Sequence, residues 1–200
     1  MKRYSLHKVA TFDELKEAPV LEMDYSYPAG VPDGVSAYAQ VGYSEEALMV
    51  HLWTKEPSTR AVERGPIGMP CEDSCLEFFF CPTEEDGRYF NVEFNANGCC
   101  YLGFASGIDD LVRLIPDAEV IHPIIHREDF GWEIFYEIPY SFIRRFFPDF
   151  RVYPGKEMRA NCYKCSDLTE PPHYFSWSPV LGEPFTFHRT EGFGTMIFAN

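Results

Sequence analysis

Along residues 89–95, Phe90, Val92 and Phe94 alternate with Tyr89, Asn91, Glu93 and Asn95. Only an extended strand turns that period of two into one apolar and one polar face. The pattern recurs. Val35, Ala37, Ala39 and Val41 lead to Gly42, a second run fills 47–53 after a Ser-Glu-Glu turn, and 76–80 is almost continuously apolar. Trp132, Ile134, Tyr136 and Ile138 alternate against Glu133 and Glu137, Met158, Ala160 and Cys162 against Arg159, Asn161 and Tyr163, and 193–198 closes the chain with one more run. Gly, Pro, Asn and Asp punctuate these runs too closely for crossover helices to fit between them. Asn97-Gly98 supplies the positive φ of a tight hairpin before 99–105, and Pro139 separates a strand from an amphipathic helical stretch at 140–147. The expected fold is therefore all-β: an antiparallel two-sheet β-sandwich of jelly-roll type with one or two short helices. Its expected core includes Phe78, Phe80, Phe90, Val92, Phe94, Ile134, Tyr136 and Ile197.

No compositional break divides the 200 residues, so a single domain over 1–200 is expected. Seventeen basic against 31 acidic residues give a net charge of −14, which repels phosphate backbones and anionic membrane surfaces alike. Neither nucleic acid nor membrane is an expected partner. No stretch approaches the ~20 apolar residues of a membrane span, and the basic start at residues 1–10 is followed by no apolar export segment. The expectation is a cytoplasmic protein. Its seven cysteines, an odd number that includes the adjacent Cys99 and Cys100, fit reduced thiols better than a disulfide framework.

Several groups could carry chemistry. Glu72, Asp73 and Glu77 stand at the start of a buried run, where carboxylates can accept hydrogen bonds from sugar hydroxyls or hold a hard cation such as calcium; an acidic turn with a structural ion pair would look the same. Arg159 and Asn161 share the polar face of one strand, as Asn91, Glu93 and Asn95 share that of another. Such faces suit vicinal hydroxyls if they meet at a cleft, and cross-strand pairing if they do not. Cys71 with Cys75, and Cys162 with Cys165, could together make a thiolate zinc site. The first spacing is irregular and free cysteine is a common core residue, so no stoichiometric zinc is expected. His173 and His188 offer ligand or acid-base groups, or structural imidazoles. No hydrolase, metalloprotease or phosphate-loop motif is present.

Five segments, taken in order, carry a family resemblance: Asp73-Ser74-Cys75-Leu76-Glu77-Phe78-Phe79, the run Tyr89 to Gly98, Asn161 to Asp167, His173 to Pro179, and Phe187-His188 with Phe193-Gly194. Together they resemble the stand-alone carbohydrate-binding family 9-like proteins over residues 35–200. The resemblance implies a β-sandwich related to DOMON domains, a small saccharide as ligand, and structural calcium, for which Glu72 and Asp73 are the candidates. Modules of that family hold a terminal sugar between two aromatic rings with charged and amide side chains at its hydroxyls. Trp177 and Trp53 are the candidate rings here, with Glu77, Arg159, Asn161 and His173 as candidate hydrogen-bonding partners; either tryptophan could instead be core. Two other readings stay open: an enzyme acting on a carbohydrate-derived substrate, and a haem or metal carrier of DOMON type.

Overall fold

The computed structural model describes residues 1–27, 32–83, 86–115 and 120–200. In chain order the strands are β1 (Arg3–Lys8), β2 (Leu21–Glu22), β3 (Tyr25–Tyr27), β4 (Ser36–Tyr43), β5 (Ala47–Lys55), β6 (Cys75–Cys81) and β7 (Tyr89–Asn95). They continue as β8 (Cys100–Ala105), β9 (Val112–Leu114), β10 (Ile124–Glu128), β11 (Gly131–Pro139), β12 (Glu157–Cys165), β13 (Tyr174–Ser176) and β14 (Gly194–Phe198). Among the described residues two one-turn α-helices accompany them, α1 (Phe12–Leu15) and α2 (Tyr140–Ile143). No helix among the described residues is long and apolar enough to cross a membrane.

The strands form two facing leaves. One runs β10-β11-β5-β4 with β2 alongside β4, and the other runs β14-β12-β6-β7-β8-β9 with β13 beside β12 and β3 beside β13. The expected separation into two wholly antiparallel sheets is corrected by β1. Its residues 3–6 pair in parallel with 195–198 of β14, and its last two, His7 and Lys8, pair in parallel with Gly42 and Tyr43 of β4. One strand thus passes from leaf to leaf, and the hydrogen-bonded path runs unbroken from β10 to β9 as a mixed, curled sheet. Strand direction depends on which distant segments meet, and neither β1 nor β14 carries a local signal for that.

Between the leaves lies the main core. Phe78, Phe80, Phe90, Val92 and Phe94 meet Ile134 and Tyr136 there, all essentially inaccessible. Ile197 does not join them. Met196 and Phe198 on either side of it point inward, and alternation turns Ile197 to the other face, half-buried. The helix expected over 140–147 is regular only to Ile143, but Phe142, Phe146 and Phe147 still close one end of the core, their rings 5.2–5.8 Å from that of Phe90.

β6 and β7 are buried on both faces, which explains why 76–80 reads as continuously apolar rather than alternating. Their outward face carries a second cluster, with Cys75, Phe79, Tyr89 and Tyr163 packed against Phe187 and Phe193.

Candidate functional site

Alternation sends Cys75, Glu77 and Phe79 of β6 outward, opposite to Phe78 and Phe80. Register then builds a row across four strands: Tyr163 of β12 beside Glu77 of β6, Glu77 beside Glu93 of β7, and Glu93 beside Tyr101 of β8. The next row holds Phe79, Asn91 and Gly103. A Cβ on Gly103 would stand 2.0 Å from Asn91 Oδ1, so only glycine lets the Asn91 amide lie across β8. From there Asn91 Nδ2 donates to Glu93 Oε1 at 2.7 Å.

Segments after β12 and before β14 fold over this surface, bringing Asp167, Tyr174, Phe187 and His188 above the two glutamates and enclosing a cavity of about 420 Å³. Phe187 stacks on Tyr163 at 4.0 Å and 14°, and Tyr174 meets Phe187 edge-on at 6.1 Å and lies beside Asp167. The result is an aromatic wall above a floor of carboxyl groups.

That floor is electrostatically uncomfortable. Glu77, 2% exposed, lies beside the thiols of Cys165 and Cys75, and the Cys165 thiol donates to the Cys71 carbonyl and the Asp167 carboxylate. Burial, then the charge of Glu93, holds its carboxyl well above the usual carboxylate range. Burial also raises Glu93 to about 7, against the opposing pull of the Asn91 amide and the Arg113 guanidinium. The Cys75 and Cys165 thiols are pushed up by burial and by Glu77. His188, whose Nδ1 is 2.8 Å from the Tyr89 hydroxyl, is lowered by burial to about 4 and is neutral at physiological pH. Floor and wall together suit a polar ligand with one apolar face, hydroxyls bonding to the carboxyl groups and C–H bonds resting on aromatic rings.

The pattern describing carbohydrate-binding family 9 matches residues 8–198. The chain belongs to carbohydrate-binding family 9. Among solved structures, a candidate carbohydrate-binding protein from Bacteroides uniformis ATCC 8492 is similar with a TM-score of 0.81 and 28% identity, over 98% of this chain and 99% of that one. A family 9 module from Caldicellulosiruptor kristjanssonii shares the fold at a TM-score of 0.69 and 11% identity, over 98% of this chain and 95% of that one in its complex with glucose. Its cellotriose complex gives the same score and identity, with coverage of 99% and 94%. No curated protein matches the chain.

Within this family 9 chain, the residues expected to bind ligand are scattered. Glu77 lines the cavity. Trp177 does not: it is 3% exposed in the core between the leaves, edge-on to Tyr4 and so close over Gly194 that a Cβ there would lie 2.4 Å from its ring. Trp53 lies on the outward face of the opposite leaf, stacked between Tyr38 at 5.3 Å and His51 at 4.5 Å. The Arg159 guanidinium donates to the Phe193 and Thr190 carbonyls at 2.7 and 3.1 Å, pinning the turn before β14. The Asn161 amide is spent on both backbone groups of Ser178, at 2.9 Å each. His173 donates from Nδ1 to the Pro171 carbonyl at 2.9 Å.

The calcium expected at Glu72 and Asp73 meets a different obstacle. Asp73 accepts from the Val62 and Glu63 amides at 2.9 and 2.8 Å and from Asn95 Nδ2 at 2.8 Å, with Arg60 Nε 3.3 Å from its other oxygen. A guanidinium already supplies the positive charge. Arg60 also donates to the Glu72 carbonyl at 3.2 Å. The paired-thiol reading fails on parity: Cys162 faces the main core and Cys165 the outward cluster, because positions three apart on a strand lie on opposite faces.

Sequence reasoning placed Glu93 on a polar face suited to hydroxyls or to cross-strand pairing, without joining it to Glu77. Hairpin register set beside that of Glu77 is the signal that could have paired them. Tyr101, Asp167, Tyr174 and Phe187 carry no such local signal, since the cavity is made by segments far apart in sequence.

Proposed function

We propose that the chain binds a small saccharide in the cavity over β6 and β7. In this reading Phe187 and Tyr174 offer their rings to the apolar face of a pyranose, and Glu77, Glu93 and Asp167 take its hydroxyls. The observation that carries the proposal is the carboxyl pair Glu77–Glu93 lying under an aromatic wall in a cavity of about 420 Å³, room for one or two sugar rings. Membership of carbohydrate-binding family 9 and the glucose and cellotriose complexes of the Caldicellulosiruptor module support it. Affinity is modest, because sugar hydroxyls exchange water for protein at little net gain and ring contact supplies the surplus.

Calorimetric titration with glucose and cellotriose tests this. Phe187→Ala and Tyr174→Ala should each weaken binding by ~1–3 kcal/mol, while Trp177→Ala should lower stability and spare affinity in whatever fraction stays folded. Unchanged affinity in folded Phe187→Ala and Tyr174→Ala would exclude the cavity as the binding site.

A further inference from the structure

Two residues before Glu77 on β6, Cys75 shares its outward face, and ligand atoms from Cys75, Glu77 and Glu93 all lie within 4.8 Å of one another. All three residues are buried. A tetrahedral ion bound at ~2.3 Å to sulfur and ~2.1 Å to oxygen sets its ligand atoms ~3.5 Å apart, a gap that rotation of two glutamate side chains can close.

Two further observations point to a cation rather than an inert polar cluster. Glu77 faces the cavity from full burial, no nitrogen or hydroxyl donor among the described residues bonds to its carboxyl group, and the thiols of Cys165 and Cys75 beside it are weak donors for a carboxylate. The cavity gathers Glu77, Glu93 and Asp167 with no lysine or arginine in its lining among the described residues. Arg113, the cation acting on Glu93, is committed to the Gly68 and Cys100 carbonyls at 2.6 and 2.9 Å. One thiolate with two carboxylates selects a borderline transition ion over calcium, which needs six or more oxygens.

We propose that Cys75, Glu77 and Glu93 hold a divalent transition-metal ion of the zinc type, with its fourth coordination position open to the cavity. Binding replaces the thiol proton of Cys75 and whatever protons the two carboxyl groups carry, releasing them to solvent. The sequence alone pairs thiol with thiol, by spacing. The structure instead joins one thiol to carboxylates from two neighbouring strands, a set visible only once β6 and β7 are in register.

The test is a cobalt(II) titration of chelator-treated protein without saccharide, followed by the thiolate-to-cobalt charge-transfer absorption and the visible ligand-field bands. One equivalent should produce both, with intensity typical of tetrahedral cobalt, and zinc should displace it. Cys75→Ser should abolish the charge-transfer band, Cys81→Ser should keep it, and Glu93→Gln should weaken cobalt binding by roughly tenfold or more. If Cys75→Ser does not fold, Glu77→Gln and Glu93→Gln carry the test, and undiminished affinity in both overturns the proposal. So does absence of the band in the native sequence, or its survival in folded Cys75→Ser. Saccharide titrations in chelator test the sugar reading separately, so either can fail alone.

Discussion

Glu93 shows how a single residue can tie stability to pH. Its folded-state value is raised to about 7 from an ordinary 4.5, chiefly by burial, so the native state holds a proton that the unfolded chain gives up earlier. The associated stability is fully present below pH 4.5 and is lost as pH rises through 7. In chelator-treated protein, denaturant unfolding should therefore show stability falling between pH 5 and 8, by up to ~3 kcal/mol from this group. Glu77, raised in the same direction, adds to the fall. Glu93→Gln should flatten the profile; an unaltered slope in that variant would assign the pH dependence elsewhere. Lys164 makes a second case. It is fully buried, with Nζ 3.2 Å from Glu56 Oε2, 3.0 Å from Ser74 Oγ and 2.8 Å from Ser166 Oγ. Lys164→Ala leaves the Glu56 carboxylate buried and uncompensated and should cost ~3–5 kcal/mol in denaturant titrations. Lys164→Met with Glu56→Gln should cost clearly less, since the penalty lies in the orphaned charge rather than in the missing bond.

Among the elements, β1 decides the architecture with six residues. Tyr4 and Leu6 enter the main core while its backbone joins β14 on one leaf to β4 on the other. Removing residues 1–8 would empty those core positions and bare one edge on each leaf, so the unfolding midpoint should drop by the equivalent of at least ~3 kcal/mol, with increased aggregation. An unchanged midpoint would mean that the leaves hold together without the bridge. The Tyr4–Leu6 alternation was there to be read, but so short a strand at the start of a chain stands out little from a flexible terminus. The longer elements were legible because their pattern persists: β4, β7, β11 and β12 each keep a period of two over seven to nine residues, and β5 is a nearly continuous apolar run. The short β2, β3, β9, β10 and β13 exist because a neighbouring strand offers them an edge, which is a tertiary circumstance.

At the scale of the whole molecule, two leaves share one aromatic core, and a second layer of side chains lies outside β6, β7 and β12, where the cavity is found. Local alternation fixed the longer strands and the parity of each residue along them. Glu77 and Phe79 had to face away from Phe78 and Phe80, and Glu93 away from Phe90 and Phe94, because alternation is a property of the local backbone. Which outward face would become a site depended on how distant segments packed. The segments around Asp167 and Phe187 cover β6 and β7 but not the face that bears Trp53, and no local pattern reports where a distant loop will pack. The same holds for Trp177, Arg159 and Asn161. As residue types they suit a sugar, yet one fills the core and the others spend their polar atoms on backbone groups, because a buried donor or acceptor left unpaired costs more than any surface role returns.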